Sequence, residues 1–271
     1  MPELPEVETI RDYLSHVLPG CSVQKVLHID SRMVKSGLRP AEEIARLLPG
    51  LVVKSLKRRG KFLFIEWQTQ EHLLLHLGMS GRLVWVQGEE LWSRHTHLVI
   101  SFGEYQLRLI DPRRFGRIGW IEAGDRLVPH LGMEPFSREL TAKSLSRQLK
   151  GRTAPIKSLL LNQSIIAGLG NIYVDESLFL AKIRPDRAGG TLAEQDIRHL
   201  VRAIRTVLKR AIANRGTSFS DYVDALGHLG QNQNYLMVYG RHSEGCRVCG
   251  QPITAQVIQG RTSHFCSRCQ R

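Results

Sequence analysis

Apolar residues near the start of the chain recur at helical spacing. Val7, Ile10, Leu14, Val17 and Leu18 line one face of a predicted helix, and Pro19-Gly20 stops it. From about residue 22 to residue 122 the texture changes to short β-type runs. The clearest are 61–67, 82–86 and 97–102, separated by short polar or glycine-containing turns, a spacing that predicts a sandwich or barrel. A polar connection with a short helical stretch follows at about 127–152 and marks a domain boundary. Beyond it the chain turns helical. Residues 154–161 form a short amphipathic run, Gly168-Leu169-Gly170 a tight turn, and 171–181 a second short helix ended before Pro185. The longest predicted helix covers about 192–214. Its buried stripe is Ile197, Leu200, Val201, Ile204, Val207, Leu208 and Ile212, with Thr191 and Glu194 expected as a capping box and Gly216 as the stop. Residues 216–238 are polar and glycine-containing and read as a long loop that could be mobile.

Composition narrows the class. A chain of 271 residues, 42% hydrophobic and 23% charged, can bury a sizeable core in two domains or one large one. No apolar run approaches a membrane span. Glu3, Glu6 and Glu8 stand where a secretory signal would need basic and apolar residues, so a full-length cytosolic protein is expected. The net charge is +13, which favours a polyanionic partner without choosing among DNA, RNA and an acidic protein. Lys54, Lys57, Arg58, Arg59 and Lys61 put five bases in eight residues.

The cysteines carry a sharper signal. Cys21 stands alone and is expected as a small buried hydrophobe. Cys246-x-x-Cys249 and Cys266-x-x-Cys269, sixteen residues apart, are two metal-binding turns around a spacer long enough for a β-hairpin. Four thiolates leave no open position, so a structural zinc is expected. His264 then reads as a packing or phosphate-contact residue. Arg241, Arg247, Arg261, Arg268 and Arg271 face one acid, Glu244. That bias suits a nucleic-acid finger, and a zinc ribbon that joins proteins fits about equally well.

Pro2 matters if Met1 is removed. The product is a free secondary amine at the head of a helix. An α-amine has a pKa near ~8, so a useful fraction is unprotonated at neutral pH. Attack on an aldehydic carbon gives an iminium directly, an electron sink for elimination, and Glu3 and Glu6 could shuttle protons. Taken alone, proline and acids in a first turn are also ordinary helix chemistry.

The motifs taken together are more specific. Residues Met1-Pro2-Glu3-Leu4-Pro5-Glu6-Val7-Glu8, His76-Leu77-Gly78-Met79-Ser80-Gly81, Asp111-Pro112-Arg113-Arg114-Phe115-Gly116 and Gly168-Leu169-Gly170-Asn171-Ile172-Tyr173-Val174-Asp175-Glu176 resemble motifs of the bacterial formamidopyrimidine-DNA glycosylases. The four-cysteine tail matches as well, so the resemblance runs in order from residue 2 to 269. It implies an α+β multidomain chain: a β-sandwich with the catalytic N-terminal helix (1–130), a helix–two-turn–helix domain (131–235) and a zinc finger (236–271). DNA would lie in the cleft between domains. The implied reaction is bifunctional: an N-terminal proline displaces the damaged base at the sugar C1′, and β- and δ-elimination cut the strand on both sides.

By matching motif, the resemblance makes Pro2 the nucleophile, Glu3 the general acid/base and Glu6 an orienting residue. Lys61 would assist elimination and bind phosphate. Arg261 would touch the DNA backbone and assist δ-elimination. Met79, Arg113 and Phe115 would fill the hole left by a flipped nucleotide, with Arg113 facing the orphan cytosine. His95, Arg152, Lys157 and Asn171 match backbone contacts, and His76 is an additional one, although a satisfied core histidine is the competing reading. In the finger, Gly260-Arg261-Thr262-Ser263 departs from the family's Gly-Thr after the arginine, which leaves the local turn open. The segment 217–235 matches the cover of the flipped base. Damaged double-stranded DNA is the expected partner of a monomeric, cytosolic, nucleoid-associated enzyme with one zinc and no organic cofactor or membrane contact. Two rivals stand: an endonuclease VIII-type enzyme for oxidised pyrimidines, and a non-catalytic zinc-bearing DNA-binding protein.

Overall fold

The computed structural model describes residues 2–35, 39–89, 91–122, 128 and 131–271. Met1 and the start of the expected inter-domain connection lie outside them. The chain divides into two compact units, Met1–Pro129 with Asn214–Gln233, and His130–Ala213 with Asn234–Arg271.

In the first unit, α1 (Leu4–Val17) begins three residues before the apolar period does. The carboxylate of Glu6 reaches back to accept the Glu3 N–H at 2.8 Å and satisfies a first-turn amide that would otherwise be stranded. Leu4, Val7, Ile10 and Leu14 form its buried stripe, and Gly20, with φ +87°, supplies the left-handed turn that releases the chain. The strands that follow are β1 (Lys25–Ile29), β2 (Val53–Arg59), β3 (Phe62–Trp67), β4 (Glu71–His76), β5 (Arg82–Gln87), β6 (Thr96–Ser101), β7 (Tyr105–Ile110) and β8 (Arg117–Glu122), with α2 (Ala41–Leu47) between β1 and β2.

They pair antiparallel into two four-stranded sheets, β1-β6-β7-β5 and β2-β3-β4-β8, which form the expected sandwich. Alternate residues such as Leu63, Ile65 and Trp67, Leu73 and Leu75, Leu107 and Leu109, and Ile118 and Trp120 enter one core. Trp67 stacks on Trp120 with ring centroids 6.3 Å apart. Truncating either ring to alanine would cost about 3–5 kcal/mol.

The segment 214–233 differs from expectation. It is packed on this unit, not a free loop. Tyr222 and Ala225 belong to the sandwich core, and the Trp85 N–H donates to the Ala225 carbonyl at 2.8 Å. β5 is an edge strand with unpaired amides, so a passing chain that pairs with it gains hydrogen bonds as well as burial. Nothing in the sequence sets the buried Tyr222 and Ala225 apart from their exposed apolar neighbours Phe219, Leu226 and Leu229.

In the second unit, α3 (Ala142–Leu149), α4 (Ile156–Leu161), α5 (Asn171–Leu180) and α6 (Glu194–Ala213) precede a hairpin of β9 (Thr254–Ile258) and β10 (Arg261–Phe265). The start of α6 is a correction. Thr191 ends a 3-10 turn, where its hydroxyl donates to the Ala188 carbonyl at 2.8 Å, and the Ala193 N–H goes to Asp196 at 3.2 Å. The capping acid is thus Asp196, not Glu194. Ala211, not Ile212, completes the buried stripe. Every residue of α5 from Ile172 to Phe179 is buried, so its acids Asp175 and Glu176 need partners inside the unit. Cys21 is only partly buried. Among the described residues no helix is long and apolar enough to cross a membrane.

Candidate active site and nucleic-acid interface

Pro2 is buried and directly precedes Glu3, the N-cap of α1. Glu3 and Glu6 are both 1% exposed. Glu6 holds two chain segments: one carboxylate oxygen takes the Glu3 N–H, and the other accepts from the Thr217 N–H at 2.7 Å. Gly216 makes that approach possible, since a Cβ there would lie 2.9 Å from Glu6 Oε1 at φ +80°. Tyr222 donates to the Arg215 carbonyl at 3.1 Å. Burial and the Glu6 charge push its hydroxyl well above the usual range, which keeps it a neutral donor.

Lys61 follows Gly60, whose φ of +58° turns the chain from β2 into β3. Its neighbour Phe62 pairs with His76 across the sheet, the rings 4.7 Å apart. Burial, then the charges of Lys61 and Arg117, lower the His76 pKa to about 4. Its Nδ1 accepts the Gly78 N–H at 3.2 Å, so the neutral ring carries its proton on Nε2 as a donor. The basic run is less free than its sequence implies. Lys57 pairs with Glu66 at 2.8 Å, and Arg58 pairs with Glu8 on α1 at 2.6 Å.

Asp111, fully buried, organises the wedge residues. It accepts from Ser80 Oγ at 2.5 Å and from the Arg113 and Gly116 amides at 3.3 and 2.7 Å. The Asp111 N–H donates to the His95 carbonyl at 2.9 Å, which brings His95 to the same corner. A Cβ on Gly78 would meet the Phe115 carbonyl carbon at 2.4 Å, so only glycine lets the two loops touch. Phe115 is 49% exposed, Met79 is half-buried, and the Arg113 guanidinium sits 5.6 Å from the Phe115 ring centre. These apolar side chains are therefore outside the core. Asp221 stands 3.7 Å from Arg113.

In the second unit, Asn171 opens α5 behind Gly168, whose φ is +92°. Its Nδ2 donates to the Thr262 carbonyl at 3.0 Å. Arg152 is exposed after the end of α3. Lys157, expected to touch the DNA backbone, is instead completely buried. Its Nζ lies 2.7 Å from Asp175 Oδ1 and donates to the Thr262 carbonyl at 2.8 Å. Asp175 Oδ2 takes the His264 N–H at 2.8 Å. The buried Lys157–Asp175 pair thus fastens β10 at two points beside Arg261, so Lys157 acts on position and presents no exposed charge. Arg261 is exposed and follows a two-residue turn in which Gln259 and Gly260 both have positive φ, the hairpin geometry the altered motif had left open.

Glu176 accepts from the Met237, Val238 and Tyr239 amides at 2.9–3.0 Å, with Arg210 3.6 Å away. The sequence does not mark Asp111, Asp175, Glu176 and Asp221 individually as organising residues. Adjacent acids inside an apolar helix were the available clue to the middle pair.

The sulfurs of Cys246, Cys249, Cys266 and Cys269 all lie within 4.8 Å of one another, with Cys249 and Cys266 at 3.5 Å and Cys246 and Cys269 at 4.0 Å. Zinc–thiolate bonds of about 2.3 Å arranged tetrahedrally place sulfurs about 3.8 Å apart, so the set fits one zinc ion. Held by four thiolates, that ion is structural. His264 packs edge-on against Tyr239 with ring centroids 5.1 Å apart and is not a ligand.

A sandwich that buries two carboxylates around a proline at a helix head, with a polar-anchored helical unit and a thiolate finger, has the parts of a DNA-processing enzyme. Three family descriptions match in order: Formamidopyrimidine-DNA glycosylase N-terminal domain over residues 1–118, Formamidopyrimidine-DNA glycosylase H2TH domain over 131–223, and Zinc finger found in FPG and IleRS over 243–271. A formamidopyrimidine-DNA glycosylase of Syntrophomonas wolfei is 41% identical over 275 residues, covering 100% of both chains. A Lactococcus lactis FPG mutant solved with a Fapy-dG containing DNA is 37% identical, with a TM-score of 0.93 over 100% of both chains. The wild-type Lactococcus lactis FPG solved with an oxidized pyrimidine containing DNA is likewise 37% identical, with a TM-score of 0.92 over 100% of both chains. The chain belongs to the formamidopyrimidine-DNA glycosylase family.

Proposed function

We propose that this protein excises oxidised purines, 8-oxoguanine and formamidopyrimidines, from duplex DNA and then cuts the abasic strand. The observation that carries the reading is the head of α1, where Pro2 stands beside the buried carboxylates of Glu3 and Glu6, the latter held by two backbone amides. The Pro2 nitrogen, freed of Met1, attacks the sugar C1′. The glycosidic bond breaks, its electron pair leaves with the base, and the base takes up a proton. Ring opening, with Glu3 as acid and base, gives an imine. Loss of a C2′ proton then expels the 3′ phosphate, and a second elimination expels the 5′ phosphate. Lys61 assists the first elimination and Arg261 the second.

Neutral His76, His95, Arg152, Asn171 and Arg261 supply backbone contacts. Met79 and Phe115 fill the vacated stack, and Arg113 reads the orphan base. Thr217 and the segment after it cover the flipped base. The enzyme works as a monomer on nucleoid DNA in the cytosol.

A second reading, excision of oxidised pyrimidines, is favoured by the Lactococcus lactis complex with that type of lesion. Single-turnover cleavage of duplexes carrying 8-oxoguanine, a formamidopyrimidine, or an oxidised pyrimidine separates them. Purine lesions are expected to be cut fastest. A faster oxidised pyrimidine would establish the second reading, and cleavage of none would refute both.

A further inference from the structure

Four cations share one face of α6. Arg198, Arg202, Arg205 and Lys209 are spaced four, three and four residues apart, so they stack along one stripe of the helix. Arg205 builds a groove there. Its Nε donates to the Pro135 carbonyl at 2.9 Å, and its Nη2 donates to the Ser137 and Leu140 carbonyls at 3.0 and 2.8 Å. The segment before α3 is thereby clamped beside α6, leaving a groove of about 620 Å³ between them. That volume is in the range of built ligand clefts.

The groove has two chemistries. Part of its lining is apolar: Phe136, which is 38% exposed, with Ala142 and Val201. The rest is largely cationic, with Arg138 joining the α6 stripe. Arg138, Arg202 and Lys209 are exposed and make no ion pair among the described residues. Arg198 alone is paired, with Glu194 at 2.9 Å, an exposed helix pair of little energy. Glu139, the exposed acid on the lining segment, pairs with none of them. Uncompensated like charges held on one stripe repel each other, so an anionic occupant relieves a standing cost.

We infer that this groove is a docking site for an acidic segment of a partner protein that carries one large apolar side chain. Phe136 takes the anchor, and Arg138, Arg202 and Lys209 take the carboxylates. Charge complementarity selects the acids. A duplex held through its phosphates keeps its bases stacked and would leave the exposed Phe136 uncovered, whereas a peptide's apolar side chain covers it. None of the residues assigned to DNA lines the groove.

The test uses the full-length, zinc-loaded protein and a fluorescein-labelled oligo-aspartate peptide ending in phenylalanine, read by fluorescence anisotropy. Binding in the micromolar range is expected. Arg202→Glu with Lys209→Glu should weaken it at least about tenfold, and Phe136→Ser should weaken it too. Lesion-duplex affinity and excision rate should stay at parent values in each variant, with unchanged thermal unfolding as the control for folding. Three results would overturn the inference: no peptide binding, equal binding of a peptide with serine in place of the phenylalanine, or a parallel loss of duplex affinity in the charge-reversed variant. The last would make the groove part of the DNA track.

Discussion

Lys157→Met removes the cation from a fully buried ion pair while keeping the bulk of its stem. The side chains of Lys157 and Asp175 are both 0% exposed, so solvent does not screen the charge left behind. Breaking one side of such a pair costs about 3–5 kcal/mol. The Thr262 carbonyl keeps Asn171 as a donor, and the Asp175 carboxylate keeps the His264 amide, so the loss stays near that range. For a unit of this size it corresponds to roughly a 10–20 °C fall in melting temperature. Asp175→Asn added to Lys157→Met removes the stranded charge and should restore more than half of the loss. Differential scanning calorimetry of zinc-loaded protein measures both. If the single variant melts within about 2 °C of the parent, or the double variant melts lower still, the pair does not fasten β10 as described.

Three further outcomes are expected. Between pH 6.5 and about 4 the unfolded chain takes up a proton that folded His76 refuses. Stability from this residue is therefore present above pH 6.5 and lost as pH falls toward 4, and His76→Gln should flatten denaturation midpoints measured across that window. Stripping zinc with a chelator should weaken lesion-duplex binding while the tryptophan fluorescence of the sandwich is kept; unchanged affinity would remove the finger from the DNA contacts. Arg113→Ala should shrink the preference for 8-oxoguanine opposite cytosine over adenine by about 1–3 kcal/mol in single-turnover rates, because a donor-only side chain matches cytosine's acceptors.

Periodicity located the sandwich strands to within a residue at 61–67, 82–86 and 97–102, because alternation with a buried face is a strong local signal. The thiolate cluster was legible for a different local reason: two CxxC turns carry their geometry in the spacing. Local sequence signals fail where a long-range partner decides the outcome. Lys157 looks like any surface cation until Asp175, on the next helix, closes over it. The polar segment holding Tyr222 looks like a loose loop until the edge of β5 pairs with it. Met79 and Phe115 show the reverse case. By hydrophobicity they belong in a core, and only the motif resemblance placed them outside it. Asp111 is the reason: its carboxylate accepts from Ser80 in one loop and from the Arg113 and Gly116 amides in the other, and so holds both at the surface.

The central claim is that the amine of Pro2 forms a covalent imine with damaged DNA. Borohydride reduction during turnover on an 8-oxoguanine duplex, followed by peptide mass mapping, tests it directly. The expected result is a DNA adduct on the peptide that begins at Pro2, and no adduct when Met1 is retained. Strand cleavage with no trapped adduct, or an adduct on a lysine such as Lys61, would contradict it.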